Sequence, residues 1–431
     1  MSAPSRTAEI RRLAARDEAV AAAALTTLFS DLFGLVAEGV AINRDQYSLN
    51  SLNGFFSAGG ADYFFKFHQE DGEEVMTGEY YRADILARAG LPVDMPVFVS
   101  NLPGEQVLVY RRRADPRFSD VLRALDIAAL EGRRDTAGEA AAVAAECRLD
   151  AAVARVYLDS LHPITATEAA AEPIHRLFHD RLVDMPGRRF PGGRLAGFYL
   201  GHTARLPGVE LAWDDFAARR IVVNGRAYRR TIGELFAAAG ARLRPALLAD
   251  AGGVVAHGDA HNANVWYGRG TDGPDLSFYD PAFAGEHVPS LLAEVKATFH
   301  NVFAHPLWLY DPAEATERFS ASARLDGGTL VLDTDWALTP VRRALLAAKA
   351  DLIWKPLLST LAARGLLPAD WREVIRLALF LCPTLVMNLR AGAATHTETS
   401  SAIAFAVAVM VGSEPEDGDD EMTAFLETIA P

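Results

Sequence analysis

The sequence predicts an α+β protein in which a small β-rich segment precedes a large, mainly helical one. Between residues 43 and 113, short apolar runs such as YFFKFH and VLVYRR are separated by Asn-Gly and Gly-Gly pairs, as expected for strands and turns. After residue 115 the chain is rich in Ala and Leu at helical spacing. Its length of 431 residues exceeds what one hydrophobic core usually holds, so two or more packed units are expected.

Composition and charge limit the kinds of partner that the protein is expected to bind. The chain has 42 basic and 56 acidic residues, a net charge of −14 and no dense basic stripe, which argues against a nucleic-acid partner. Its two cysteines, Cys147 and Cys382, are far apart and have no metal-ligand spacing. The apolar run at 402–412 is too short to cross a bilayer, and no export signal is evident. We expect a cytoplasmic protein without a membrane partner, of unknown oligomeric state.

Three segments are expected along the chain. Residues 1–40 predict an amphipathic helical segment packed on the body of the protein. Residues 41–114 predict an N-terminal lobe of five strands, with one helix at 74–90 between the third and fourth strands. Residues 115–431 predict a helical C-terminal lobe, in which the pair Asn224-Gly225 is a strong signal for a small hairpin.

One short stretch holds an unusual density of ligand-type side chains. HGDAHNAN (257–264) places Asp259 and Asn264 five residues apart, and Asp280 follows after a Gly-rich turn and the short strand LSFYD. Phosphoryl transfer from ATP requires this layout, with one carboxylate near the acceptor hydroxyl and an amide and second carboxylate holding Mg²⁺ against phosphate oxygens. The two segments are expected to form a hairpin that presents all three groups to one point.

The sequence HGDAHNAN followed by YDPAFAG resembles the catalytic and metal-binding loops of the aminoglycoside-phosphotransferase and choline-kinase-like branch of the protein-kinase-like fold. The resemblance implies a bilobal α+β fold with these loops at 254–296. It also implies Asp259 as the catalytic base or acceptor-orienting carboxylate, and Asn264 and Asp280 as Mg²⁺ ligands. The Asp-Pro start of the second motif is closer to the fructosamine-kinase and methylthioribose-kinase relatives than to the antibiotic enzymes.

Such a fold needs a lysine on its third strand, and ADYFFKFHQE supplies Lys66. A lysine in the middle of a β-run is disfavoured unless its ammonium group has a partner. The resemblance gives it the α- and β-phosphates of ATP, with Glu79 on the following helix holding the lysine in place. The alternative is an edge strand from which Lys66 points to water.

The resemblance implies two further ATP-binding segments in the N-terminal lobe. SLNSLNGFF (48–56) would be a strand–turn–strand over the phosphates, where Asn53 and Gly54 let backbone N–H groups approach anionic oxygens. The next turn is expected at Gly59-Gly60, between strands two and three. After the fifth strand, a hinge at Tyr110 and Arg111 would place backbone groups against adenine.

Several polar residues near the motifs have alternative roles. His257 is expected to brace the loop by hydrogen bonds, whereas His261 either touches a phosphate or supports the loop. A capped helix with a charged face is favoured after the second motif, where Glu286, His287, Glu294 and Lys296 lie at helix-start and helical spacing. The alternative places Glu294 near the acceptor. The run at 298–312, rich in aromatic residues and histidine, either lines an acceptor pocket or belongs to the core.

The leading hypothesis is an ATP- and Mg²⁺-dependent phosphotransferase that moves the γ-phosphate to a hydroxyl of a small molecule, namely a sugar, an amino sugar or an amino alcohol. The alternative is a kinase-like protein that binds nucleotide without phosphorylating, or transfers a nucleotidyl group, in a regulatory role. A metal-dependent phosphoesterase is a third class, because HGDAH superficially resembles a segment of dinuclear hydrolases, but the additional Asp and His motifs of such sites are missing from the sequence.

Overall fold

The computed structural model describes residues 5–43, 51–68, 82–271 and 273–431. The chain divides into two compact units, Met1–Asp84 with Val93–Asp115 and Ile85–Pro92 with Pro116–Pro431. The first unit is built on an antiparallel sheet, and the second is mainly helical. The predicted α+β class, with a small β-rich part followed by a large helical part, is therefore confirmed.

Helices and one sheet make up the first unit. Its described helices and strands are α1 (Arg6–Ala14), α2 (Glu18–Phe33), β1 (Glu38–Ile42), β2 (Ser51–Ala58), β3 (Ala61–His68), α3 (Ala83–Ala89, shared with the second unit), β4 (Phe98–Ser100) and β5 (Val107–Arg111). The strand order is β1-β2-β3-β5-β4, with every neighbouring pair antiparallel. Residues 69–81, which hold Glu79 and the first part of the predicted helix 74–90, lie outside the described residues.

The N-terminal segment differs from the expectation of helix up to residue 40. Asp17 begins α2 by accepting hydrogen bonds from the backbone N–H groups of Ala19 and Val20. Gly34 ends the helix in the left-handed conformation, with φ 65°, which a glycine adopts without steric cost. The chain then enters β1 at Glu38, so a strand occupies the end of this segment.

The core of the first unit lies between α2 and one face of the sheet. Phe29 of α2 stacks on Phe56 of β2 at 4.6 Å between ring centroids and meets Phe65 of β3 edge-on at 5.2 Å. Because side chains alternate across a strand, Phe65 and Phe67 share this core face, and Lys66 lies on the opposite face. Packing of α2 therefore fixes which face of β3 carries the lysine.

Gly54 lies inside β2, paired with Phe65, so the turn predicted at this glycine is wrong. A Cβ atom on Gly54 would be 2.1 Å from the carbonyl oxygen of Ala41 and 2.8 Å from the Phe65 ring. Glycine is required at this position because β1 and the aromatic ring both approach its backbone. The turn expected between strands two and three is confirmed at Gly59 and Gly60, both with positive φ.

Helices dominate the second unit. Those described are α4 (Phe118–Leu130), α5 (Thr136–Ser160), α6 (Ala166–Ala171), α7 (Gly193–Tyr199), α8 (Trp213–Ala217), α9 (Ile232–Arg242), α10 (Val295–Thr298), α11 (Pro312–Arg318), α12 (Pro340–Lys349), α13 (Lys355–Ala363), α14 (Trp371–Val386), α15 (Glu398–Gly412) and α16 (Glu421–Thr428). A π-helical turn at Phe299–Phe303 continues α10, and another at Ala350–Trp354 joins α12 to α13. No helix in the described part of the chain is long and apolar enough to span a bilayer.

Short strands lie between these helices. They are β6 (Thr203–Leu206), β7 (Val209–Ala212), β8 (Ile221–Val223), β9 (Arg226–Ala227), β10 (Gly253–Ala256), β11 (Val265–Gly270), β12 (Gly273–Phe278), β13 (Gly285–Pro289), β14 (Ala321–Asp326) and β15 (Thr329–Thr334). They pair as β6-β7, β10-β13, β11-β12 and β14-β15-β8-β9. Asn224 and Gly225, at φ 49° and 79°, form the predicted tight turn between β8 and β9.

Replacing Gly54 with alanine tests the packing of the first unit. The added Cβ meets a backbone carbonyl that belongs to a paired strand, so we expect Gly54→Ala to lower the free energy of unfolding by about 1–3 kcal/mol. Urea denaturation without nucleotide measures this change. Gly197→Ala in α7 is the control, because its Cβ meets nothing within 4 Å. Equal stability of the two variants would contradict the close approach at Gly54.

Candidate functional site

Two strand pairs of the second unit position the motif region. Strands β10 and β13 pair antiparallel, and the hairpin β11-β12 is inserted between them in sequence. The hairpin register joins Val265 to Phe278, and the N–H of Tyr279 donates to the carbonyl oxygen of Asn264 at 2.9 Å. Asp280 is the next residue, so the predicted hairpin carries Asn264 and Asp280 at its open end.

The loop before the hairpin brings Asp259 to Asn264. The Asn264 amide Nδ2 donates to the backbone oxygen of Asp259 at 3.0 Å. Backbone hydrogen bonds from His261 to Asp259, at 2.9 Å, and from Asn264 to His261, at 2.7 Å, close the intervening turn. The five-residue spacing noted in the sequence therefore corresponds to a tight turn with both residues at its base.

His257 and Gly258 hold this loop against the end of the hairpin. His257 Nε2 lies 3.0 Å from the carbonyl oxygen of Tyr279, and the N–H of Asp259 points to His257 Nδ1 at 3.3 Å. Burial lowers the pKa of His257, so the ring is neutral and serves as donor and acceptor at once. Gly258, at φ 79°, lies so close to the next segment that a Cβ would be 2.3 Å from the Phe283 carbonyl oxygen. The bracing role expected of His257 is confirmed.

Asn264 and Asp280 form a donor set that suits Mg²⁺. Since Nδ2 of Asn264 donates to Asp259, the amide oxygen of Asn264 could serve as a ligand, and Asp280 could add a carboxylate. Asp280 has φ 56°, a left-handed conformation that Asp tolerates better than most residues. Groups of three or more His, Cys, Asp or Glu side chains able to hold a metal are not found among the described residues. Mg²⁺ commonly keeps waters and phosphate oxygens as its other ligands.

The Asp259 carboxyl group is largely buried and ionised. Its side chain is 15% exposed, with Lys296 Nζ 3.5 Å from Oδ1 and His261 Nε2 3.7 Å from Oδ2. Burial alone would raise the pKa of Asp259, but the nearby positive charge, Lys296 first, outweighs it and holds that pKa below its ordinary value. Oδ1 has no hydrogen-bond partner among the described residues. The site therefore contains a charged carboxylate that can accept further hydrogen bonds.

Lys296 and Glu294 are buried, so the expectation of an exposed charged helix face is wrong. Lys296 Nζ lies 2.8 Å from His300 Nε2, whereas Glu294 pairs with Lys349 at 2.9 Å and accepts from the Tyr157 hydroxyl at 3.1 Å. The lysines and acids that pair here are separated by many residues in the chain. The usable sequence signal was the apolar setting of both charges in LLAEVKATF, because buried charges need partners.

The run at 298–312 belongs mainly to the core. Phe299, Phe303 and Trp308 are fully buried, as the core interpretation requires. His300 differs from these apolar core residues, because both of its ring nitrogens have polar partners. Its Nε2 contacts Lys296, and its Nδ1 lies 2.5 Å from the Tyr310 hydroxyl. The sequence pattern does not distinguish this histidine from its neighbours.

In the first unit, Lys66 is buried on a central strand, so the edge-strand alternative is wrong. Strand β3 lies between β2 and β5, and Lys66 pairs with Asn53 on one side and Leu108 on the other. Lys66 is 8% exposed and Asn53 is 3% exposed. The Asn53 amide oxygen accepts a hydrogen bond from the Asn43 side chain at 3.0 Å. Directly paired residues share one face of a sheet, so Asn53 and Lys66 are neighbours there.

Tyr110 and Arg111 lie within β5 rather than after it. Tyr110 pairs with Phe64, and Arg111 pairs with Tyr63. The Arg111 guanidinium lies 4.8 Å from the centre of the Tyr63 ring, a cation–π contact. The adenine-binding role of Tyr110 and Arg111 stays a prediction. The role of Glu79 in holding Lys66 also stays a prediction, because Glu79 lies outside the described residues.

Comparisons with known proteins give matches only among solved structures. The chain matches no protein-family model and no curated protein. A spectinomycin phosphotransferase in complex with ADP and spectinomycin matches with TM-score 0.36 and 11% identity over 89% of this chain and 98% of that one. An aminoglycoside phosphotransferase from Streptomyces rimosus matches with TM-score 0.35 and 17% identity, covering 84% and 97%. A microcompartment-associated aminopropanol kinase matches with TM-score 0.37 and 12% identity, covering 90% and 95%.

Substituting Gly258 tests the close approach that fixes the loop. We expect Gly258→Ala to displace Asp259, and a shift of about 1 Å at a reacting group reduces turnover roughly 100-fold. Turnover and thermal unfolding are measured on the same preparation. Gly392→Ala is the matched control, because Gly392 also has positive φ, 75°, but its Cβ would meet nothing within 4 Å. A Gly258→Ala variant as active as Gly392→Ala would contradict this role of Gly258.

Proposed function

We propose that the chain is an ATP- and Mg²⁺-dependent phosphotransferase that moves the γ-phosphate of ATP to a hydroxyl group of a small molecule. The observation that supports this most is the arrangement of Asp259 and Asn264 in one hydrogen-bonded turn, with Asp280 at the end of the hairpin that follows. Phosphoryl transfer needs few covalent partners from the protein and depends on positioning and charge, which this arrangement supplies.

Asp259 is the proposed acceptor of the hydroxyl proton. Its carboxylate is ionised and partly accessible, so it can accept a hydrogen bond from an acceptor hydroxyl and orient its oxygen. That oxygen forms a bond to the γ-phosphorus, while the bond from the γ-phosphorus to the bridging oxygen breaks and ADP leaves. The hydroxyl proton passes to Asp259 and from there to solvent.

Asn264 and Asp280 are the proposed residues for Mg²⁺. The amide oxygen of Asn264 and the carboxylate of Asp280 are hard oxygen donors, which this ion prefers. When bound, the ion neutralises charge on the phosphate oxygens. The left-handed backbone at Asp280 fixes the direction in which its side chain leaves the hairpin.

Lys66 is the proposed partner of the ATP phosphates. Lys66 lies on the central strand β3, on the face of the sheet opposite the aromatic core and directly beside Asn53, which supports a shared role of these two residues at the phosphates. Glu79, Asn53, Gly54, Tyr110 and Arg111 complete the proposed ATP-binding set. We further propose a sugar, an amino sugar or an amino alcohol as the acceptor.

The direct test is ADP release with Mg²⁺ and ATP across sugars, amino sugars, amino alcohols and nucleosides. We expect one class to raise ADP release, and omission of Mg²⁺ to abolish it. Asp259→Asn removes the proton acceptor, so turnover should fall at least about 100-fold, while ATP binding measured by equilibrium dialysis is retained.

Asp275→Asn is the matched control for this substitution. Asp275 lies on β12 of the same hairpin, with its side chain 65% exposed and 3.8 Å from Arg148. Loss of the Asp275 charge should leave turnover unchanged. Acceptor-dependent turnover that persists in Asp259→Asn would show that Asp259 is not the proton acceptor. A panel with no responding acceptor, despite ATP binding, would contradict small-molecule phosphorylation.

A further inference from the structure

Lys296 lies on the interior side of the Asp259 carboxyl group. Its Nζ is 3.5 Å from Asp259 Oδ1, and the lysine is 3% exposed. Oδ1 is itself buried, although the Asp259 side chain as a whole is 15% exposed. The accessible part of the carboxyl group is therefore on the Oδ2 side, so an acceptor meets Oδ2 while Lys296 contacts the oxygen behind it.

A hydrogen-bonded chain holds Lys296 in turn. Burial, and next the charge of Lys296, keep the pKa of His300 well below its ordinary value, so the ring is neutral. Its Nε2 then accepts from the Lys296 ammonium at 2.8 Å, which leaves the proton on Nδ1 to be donated to the Tyr310 hydroxyl oxygen at 2.5 Å. The Asp259–Lys296 ion pair is therefore continued by two hydrogen bonds, from Lys296 to buried His300 and from His300 to half-buried Tyr310.

The same π-helical turn, Phe299–Phe303, holds the loop at a second point. Asn301 Oδ1 accepts from the backbone N–H of Asn262 at 2.7 Å, and the Asn301 backbone oxygen accepts from buried Arg342 at 2.6 Å. Single π-helical turns inside α-helices are frequent at functional sites. This turn therefore contacts the loop both directly and through His300 and Lys296.

We propose that Lys296 is a positioning residue for phosphoryl transfer that acts through Asp259. Its ammonium group fixes the rotation of the carboxyl group by holding Oδ1, so that Oδ2 faces the acceptor hydroxyl. His300 and Tyr310 fix the ammonium group from behind. This inference rests on the proposed function. It adds a residue outside both sequence motifs, Lys296, that helps Asp259 to orient the acceptor hydroxyl.

Lys349 is a second buried lysine of this unit, and its contacts are those of a purely structural residue. Lys349 has three carboxylates within 3.0 Å, from Glu146, Asp150 and Glu294. Among the described residues, one carboxylate pairs with Lys296, and it is that of Asp259 at 3.5 Å. Lys349 is thus held by several anions of the core, whereas Lys296 is matched to a single functional carboxylate.

The test compares Lys296→Met with Lys349→Met. Loss of the Lys296 charge frees the Asp259 carboxyl group to rotate, so kcat should fall roughly 100-fold, as expected when a reacting group is misplaced. The KM for ATP should stay near its original value, because ATP binding does not use this pair. Lys349→Met should lower the melting temperature but leave the kcat of the folded protein nearly unchanged.

His300→Leu is the second variant, and it serves if Lys296→Met does not fold. It removes the acceptor behind Lys296 but keeps the ion pair, so kcat should fall by a smaller factor with an unchanged KM for ATP. Combining either substitution with Asp259→Asn should cause no further loss, because both act through Asp259. ADP release with water as the acceptor provides the readout when no organic acceptor responds.

The outcomes separate this inference from the proposed function. Wild-type kcat in both Lys296→Met and His300→Leu, with activity lost in Asp259→Asn, would overturn the inference and leave the proposed function standing. A further loss when Lys296→Met is added to Asp259→Asn would show that Lys296 acts independently of Asp259, which also overturns it. A chain that releases no ADP with any acceptor would overturn both.

Discussion

The His257 imidazole is the contact on which the candidate site depends. It joins the backbone of Asp259 to the carbonyl of Tyr279, so one neutral ring ties the loop after β10 to the end of the β11-β12 hairpin. The close approach of Gly258 to Phe283 fixes the same junction from the other side. Without this junction, Asp259 and Asp280 would belong to two independent loops, and their side chains would have no fixed relation.

Burial of charge organises the rest of the second unit around that junction. Removing an ion from water is costly, so each buried charge requires a matched partner, and few arrangements of the surrounding helices satisfy them all. Arg342 reaches Asp126 at 2.7 Å and also the carbonyl of Asn301, which in turn holds the loop. The core is therefore coupled to the candidate site through polar contacts of fixed geometry.

Local patterns in the sequence predict strands β2 to β5 of the first unit, the hairpin and the spacing of Asp259 and Asn264, because each depends on residues close in the chain. They do not predict β1, since helix is expected up to residue 40. They do not predict the contact of Gly54 with Phe65, because that contact depends on strand register. Helical spacing favours an exposed face for Lys296, because its partner Asp259 lies far away in sequence and only tertiary packing brings the two together. Periodicity identifies a helix, but long-range packing decides which of its faces is buried.

Phosphorus NMR of the reaction mixture tests the central claim most directly, because it identifies the group that is transferred. The enzyme is incubated with Mg²⁺, ATP and the acceptor panel, and the products are followed over time. Phosphoryl transfer predicts that a new phosphomonoester appears in step with ADP, and that both are absent with Asp259→Asn. Pyrophosphate together with an AMP ester would mean nucleotidyl transfer instead, and would contradict the proposed transfer of the γ-phosphate.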